Sequence, residues 1–332
     1  MPHDHRSAGA HVVRPPRRTA RTGRRAWRLR SRRAQVSAVA TILGLLLVVT
    51  FIANYITTTL PNTMGQNDLQ HEVMVENQVA QLGGVLQEAA QQGVVGAQIS
   101  GPVTLGSAGA PPFAGQDPST ITPLANRSLF TVSFTLTGPS ASSFGVSYST
   151  RSTSCGTSFC AGAGFVVHLR NTYATSGEVA YEQGAVVYAQ SGGIPVFIST
   201  PSITNVSGVL TIFLPQFLNN TVNTEAGVGT ADVSLRLLSV VPLTVPAGGF
   251  SLKSGTPVTA TITTPYAAAW AAYFLSVPAL KSFVSCLPTS CATLANTIYI
   301  PGGSPGTVTL TVPAAKISAF HLVVGVYSFA LS

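Results

Sequence analysis

Twenty-one consecutive residues without a charge, Val36 to Ile56, follow directly on an arginine cluster, and no other feature constrains this chain so strongly. At about 1.5 Å of rise per residue, a helix of that length crosses a hydrocarbon core of roughly 30 Å. Arginines beside a first span stay on the cytoplasmic side, so everything beyond about Leu60 is expected outside the cell. Of 18 basic residues, eleven lie in residues 1–33, all arginine, against the single acid Asp4. From Ala34 onward seven basic residues face nine acidic ones, a net charge of −2. The basic character therefore belongs to the leader. The body lacks the clustered Lys and Arg that neutralise phosphates, and no nucleic-acid partner is expected.

The junction itself reads "SRRAQVSAVATILGLLLVV", Ser31 to Val49. A secretory signal peptide has a shorter apolar core and an A-x-A cleavage site, which "TFIANYITTTLP" does not offer. A twin-arginine export signal shares the Ser-Arg-Arg start, but Gln35 stands where a bulky apolar residue is wanted. The stretch "RRAQVSAVATILGLLLVV" resembles the class III leader and N-terminal helix of archaeal type IV pilins and archaellins. That resemblance implies recognition of Arg32, Arg33, Ala34 and Gln35 by a prepilin-type peptidase, with the cut between Ala34 and Gln35. The apolar helix would then remain on the mature protein, in contact with membrane lipid or self-associated in a filament. Val39 takes the fifth mature position, where bacterial pilins carry a glutamate, so anchoring is more directly implied than polymerisation.

Beyond the span, Pro61 and Gly65 are expected to interrupt the helix. An amphipathic segment from about Gln66 to Gln92 follows, with Leu69, Val73, Val79, Leu82, Leu86 and Ala89 as its apolar stripe. "GSAGAPPFAGQDPSTITP", Gly106 to Pro123, reads as a linker. Nine or more short runs with period-two alternation then predict strands, among them "SLFTVSFTLTG", "GFVVHLRN", "GVLTIFLP" and "FHLVVGVYSFALS". No helical patterns alternate with them, which points to a mainly antiparallel, sandwich-like ectodomain. One helical insertion, "TPYAAAWAAYFLSVPALKSF", is expected to bury Trp270 and Phe274. Together with the strand before it, it resembles the C-terminal part of large archaeal pilin-like surface proteins. The organisation expected is a basic cytoplasmic leader at 1–34, a transmembrane helix at 35–60 and an amphipathic helix or stalk at 61–93. A linker with the first strand or strands at 94–128 then leads into a β-rich extracellular domain at 129–332.

Charged residues make up only 8% of the chain, against about 25% in ordinary globular domains. That composition suits a cell-surface protein better than a cytosolic enzyme. Four cysteines form two closely spaced pairs, and in an oxidising compartment local disulfides Cys155–Cys160 and Cys286–Cys291 are expected among the three possible connectivities. Sequons at Asn126, Asn205 and Asn219 are glycosylation candidates once the topology puts them outside. Several common catalytic motifs are absent: there is no H-E-x-x-H, no phosphate loop and no dinucleotide fingerprint. His168 and His321 are expected on sheet faces, and Glu178 and Glu182, four apart on one strand face, read as solvent-facing. The His-bearing start "MPHDHRSAGAH" has Pro2 where an amino-terminal copper site needs an ionisable amide. No cofactor or metal is expected. The chain reads as a non-enzymatic, membrane-anchored surface protein, a filament subunit or adhesion component. An unprocessed signal-anchored binding module is the alternative, and an extracellular hydrolase has less support.

Overall fold

Helical backbone covers every residue from Gly23 to Gln92. The computed structural model describes residues 23–124, 128–149, 164–218 and 224–332, with side chains from Val36 onward. Two compact units part between Thr58 and Thr59. In the first, α1 (Gly23–Asn54) leads into a π-helical turn, Tyr55–Thr59. In the second, α2 (Leu60–Gln92) opens with Pro61 in its first turn and stops at Gly93, whose positive φ of 67° lets its amide reach the Ala89 and Ala90 carbonyls. Pro61 therefore does not break the helix as expected. Its missing N–H and its ring are accommodated where the hydrogen-bond ladder loosens into the π turn. Gly65 stays helical.

The buried face of α2 carries Met64, Asp68, His71, Val75, Val79, Leu82, Leu86 and Ala90 at three- and four-residue steps. Its distal half agrees with the expected stripe. Leu69 and Val73 do not, each being 54% exposed. The reason is that Asp68 and His71 occupy the inner face with polar partners of their own, so the apolar residues beside them turn outward. Gly83 permits the closest approach, since a Cβ there would sit 2.8 Å from the Tyr181 ring.

Seventeen strands lie among the described residues, in three sheets. The first runs β1 (Gln98–Thr104), β12 (Thr230–Val245), β17 (Ala319–Leu331), β10 (Val209–Leu218), β9 (Ile203–Val206). The second runs β11 (Glu225–Gly227), β2 (Ser119–Pro123), β5 (Gly164–Leu169), β6 (Gly177–Glu182), β7 (Ala185–Gln190), β8 (Val196–Ser199). The third runs β13 (Ser251–Leu252), β3 (Leu129–Thr137), β14 (Pro257–Thr264), β16 (Gly306–Pro313), β15 (Val284–Leu287), with β4 (Ser143–Ser149) also on β3. Pairing is antiparallel except between β10 and β17. Two further helices, α3 (Ala267–Ser276) and α4 (Cys291–Leu294), follow β14 and β15.

One apolar core joins α2 to the first and second sheets. At its centre Phe165, Tyr181, Phe217 and Phe329 form a closed ring of stacked aromatics with centroids 5.7–5.8 Å apart. The Tyr327 hydroxyl donates to the Leu86 carbonyl at 2.6 Å, fixing α2 on this sheet. A second core lies between the first sheet, the third sheet and α3, where Trp270 and Phe274 are buried as expected. Both cores use β12 and β17. In β17, Tyr327 and Phe329 serve the first core while Phe320, Leu322 and Val324 on the opposite face serve the second. In β12 a bulge between Leu237 and Ser239 inserts Leu238 and reverses the alternation. Leu237 thus points into the first core and Val245 into the second.

Candidate functional site

Among the described residues, the longest exposed apolar run lies in α1. Every residue from Val36 to Asn54 is exposed, with Val36 at 70% and Leu47 at 71%. Such a helix is long and apolar enough to cross a membrane, its best window having a mean hydropathy of 2.6. Four threonine hydroxyls, two in α1 and two in the π turn after it, bond back to the helix. Thr41 donates to the Ser37 carbonyl at 2.9 Å, Thr50 to Leu46 at 2.8 Å and Thr57 to Ala53 at 2.8 Å. Thr58 reaches both the carbonyl and the side-chain oxygen of Asn54 at 2.6 and 2.8 Å. Bonds of this kind are the ones that can satisfy a hydroxyl in hydrocarbon, where water is lacking. Arg32, Arg33, Ala34 and Gln35 lie in the helical backbone of α1.

A second constellation is buried in the head. On β6, Glu178 accepts from the Tyr266 hydroxyl at 2.8 Å and from the Tyr299 hydroxyl. His168 Nδ1 lies 2.8 Å from the other oxygen of Glu178. An ionised carboxylate only accepts, so Nδ1 carries a proton, and Nε2 lies 3.3 Å from Thr122 Oγ1. Burial alone would push the Glu178 carboxyl up, but the hydrogen bonds from His168, Tyr299 and Tyr266 and the charge on His168 hold it below the usual range. Burial pushes Glu182 up instead, opposed by hydrogen bonds from Ser128, Thr264 and Trp270, whose Nε1 donates to Glu182 Oε2 at 2.9 Å.

Glu178 and Glu182 therefore share a face, as the spacing predicts, but that face is not solvated. Tyr266, Ala269 and Tyr299 cover it together with Ala180 and Val187, so β6 is buried on both sides. The tyrosine and tryptophan donors come from 88 and 121 residues away in sequence, and nothing in the local pattern announces them. The order Thr122, His168, Glu178 has the shape of a proton relay. However, β2 is registered against β11 on one side and β5 on the other, so ladder bonds occupy the amides that would stabilise an oxyanion. The cluster ties the second sheet to α3.

Tyr299 also lines a cavity of about 270 Å³ whose walls include Pro195, Pro265, Ala268, Ile298 and Pro305, with no paired nucleophile and base. Among the described residues no three His, Cys, Asp or Glu side chains converge as a metal site. His71 Nε2 bonds the Thr104 carbonyl at 2.9 Å and His321 Nδ1 lies 3.1 Å from Thr244 Oγ1. Cys286 and Cys291 are joined by a disulfide. Asn205 lies half-buried on β9. Cys155, Cys160, Asn126 and Asn219 lie outside the described residues. No protein-family model, no curated protein and no solved structure matches this chain.

Proposed function

We propose that the chain is a non-enzymatic, membrane-anchored cell-surface protein of archaeal pilin-like type, whose apolar N-terminal helix holds a β-rich head outside the cell or packs into a filament. The observation that carries this reading is the Val36–Asn54 part of α1: it is free of charge and wholly exposed, its Thr41 and Thr50 hydroxyls bond to its own carbonyls, and eleven arginines precede it in residues 1–33. In water such a surface is an aggregation hazard; in lipid or a helix bundle it is the interface. On this reading residues 1–34 are a cytoplasmic leader, a prepilin-type peptidase cuts between Ala34 and Gln35, and the head faces an oxidising exterior that suits the Cys286–Cys291 disulfide. The head is read as sandwich-like, since the first and third sheets enclose a common apolar core. Glycans on Asn205 and an adhesive role for the low-charge surface belong to the same proposal.

N-terminal mass spectrometry of membrane-extracted protein tests the processing step. A mature chain starting at Gln35 supports it, and an intact leader refutes it. The second outcome would favour an unprocessed, signal-anchored binding module. Electron microscopy of sheared surface material then reads whether filaments form.

A further inference from the structure

Four side-chain oxygens are buried without a hydrogen-bond partner where the start of the head helix meets two connecting segments: Asp68 Oδ1, Ser107 Oγ, Ser119 Oγ and Asn171 Oδ1. Native interiors leave few polar atoms unpaired, and a dry carboxylate oxygen is the costliest of them. Hydrogen bonds show that these segments are stitched together. Asp68 Oδ2 accepts from the amides of Tyr173 and Ala174, each at 3.2 Å. The Asp117 carboxylate accepts from the Thr172 amide at 2.8 Å and its hydroxyl at 2.7 Å. Asn67 Nδ2 donates to the Ala108 carbonyl at 2.8 Å, and the Ser107 amide to the Asp117 carbonyl at 3.2 Å. Two carboxylates thus grip one turn, Asn171 to Ser176. Within it Asn171 uses its amide nitrogen on the Thr175 carbonyl at 3.2 Å and keeps Oδ1 unpaired.

Neither carboxylate has a basic partner, the ion pair among the described residues being His168 with Glu178. Asp68 is fully buried. A fully buried carboxyl group with one oxygen unpaired calls for a donor or a positive charge. The unpaired atoms are all hard oxygens, and His71 has its Nε2 on the Thr104 carbonyl at 2.9 Å. That set excludes the nitrogen and sulfur preferences of zinc. Its irregular mixture of carboxylate, amide and hydroxyl suits the flexible coordination of calcium better than the strict octahedron of magnesium.

We propose that Asp68, Asp117 and Asn171, with Ser107 and Ser119, form a calcium site that locks the 105–119 connection and the 171–176 turn onto α2. With two carboxylates the affinity falls in the weak class of extracellular modules, on the order of 0.1–1 mM. The site lies wholly in the head and does not depend on leader cleavage or on polymerisation.

The test uses the full chain in a zwitterionic detergent, with terbium luminescence sensitised by Tyr173 and thermal unfolding in calcium. Expected are a terbium signal displaced by calcium in that concentration range and a rise in Tm of about 3 °C at 10 mM calcium. Asp68→Asn and Asp117→Asn should each weaken binding tenfold or more, while Asp232→Asn, an exposed carboxylate on β12, should leave it unchanged. If Asp68→Asn fails to fold, Asp117→Asn and Ser107→Ala carry the comparison. Absence of displaceable terbium and of a calcium-dependent Tm in the parent chain would show that the four oxygens hold water, and overturns the proposal. An equal loss in Asp232→Asn overturns it too.

Discussion

Replacing Leu43 and Leu47 together by arginine separates a lipid-facing helix from an exposed soluble one. The two side chains are 62% and 71% exposed and one helical turn apart. On a water-facing surface such changes alter stability by no more than about 0.5 kcal/mol each. In a bilayer each central arginine costs about 2.5–3.5 kcal/mol and each lost leucine about 0.3–0.6 kcal/mol, so the pair costs about 6–8 kcal/mol. Against this stand twelve exposed large apolar residues from Val36 to Ile56, contributing about 4–7 kcal/mol at the same scale. The variant's span is then no longer favourable. Alkaline carbonate extraction of membranes should release it, while circular dichroism reports an unchanged β-rich head. A doubly substituted protein that remains membrane-integral after extraction would refute the anchor.

Leu86→Ala removes a fully buried side chain where α2 meets the sheets and should destabilise the head by about 2–5 kcal/mol in denaturant unfolding. A cost below about 1 kcal/mol would mean that α2 does not dock there. The Glu178 carboxyl is held below its usual range, so its contribution to stability is complete above the unfolded value near 4.5 and is lost as pH falls through the folded one. Melting curves of Glu178→Gln should therefore show a flatter acid limb than those of the parent, and an identical limb would exclude this role. Replacing Cys286 and Cys291 together by serine opens a short loop and should cost about 1–2 kcal/mol without loss of fold; reducing agent should lower the parent's Tm by a matching amount and leave the variant unaffected.

The elements whose periodicity is local were legible in the sequence. The alternation of "SLFTVSFTLTG" became β3 (Leu129–Thr137) with every second residue buried, and the alanine-rich insertion became α3 with Trp270 inside. What escaped depends on contacts distant along the chain. The phase of α2 was misjudged at Leu69 and Val73 because hydropathy gives no credit to a buried Asp68 or His71 whose partners, Tyr173, Ala174 and Thr104, lie in other segments. Glu178 and Glu182 looked solvated because nothing adjacent to "GEVAYEQ" reveals that Tyr266, Tyr299 and Trp270 will cover them. The parallel pairing of β10 with β17 joins strands about a hundred residues apart, and no turn signal specifies it.

The single extra residue in β12 has a consequence for how this head can change over time. Because Leu238 is the hinge of alternation between two apolar interiors, its identity matters little: it is 41% exposed and tolerates substitution. Its loss would also be absorbed. Leu237 stands opposite Tyr327 and Ser239 opposite Val326, so a chain lacking Leu238 would run through as a regular ladder with Val245 still beside Phe320. Drift at Leu238 is therefore free in kind, and a one-residue deletion in descendants of the chain should be accepted at this position and not at the paired residues around it.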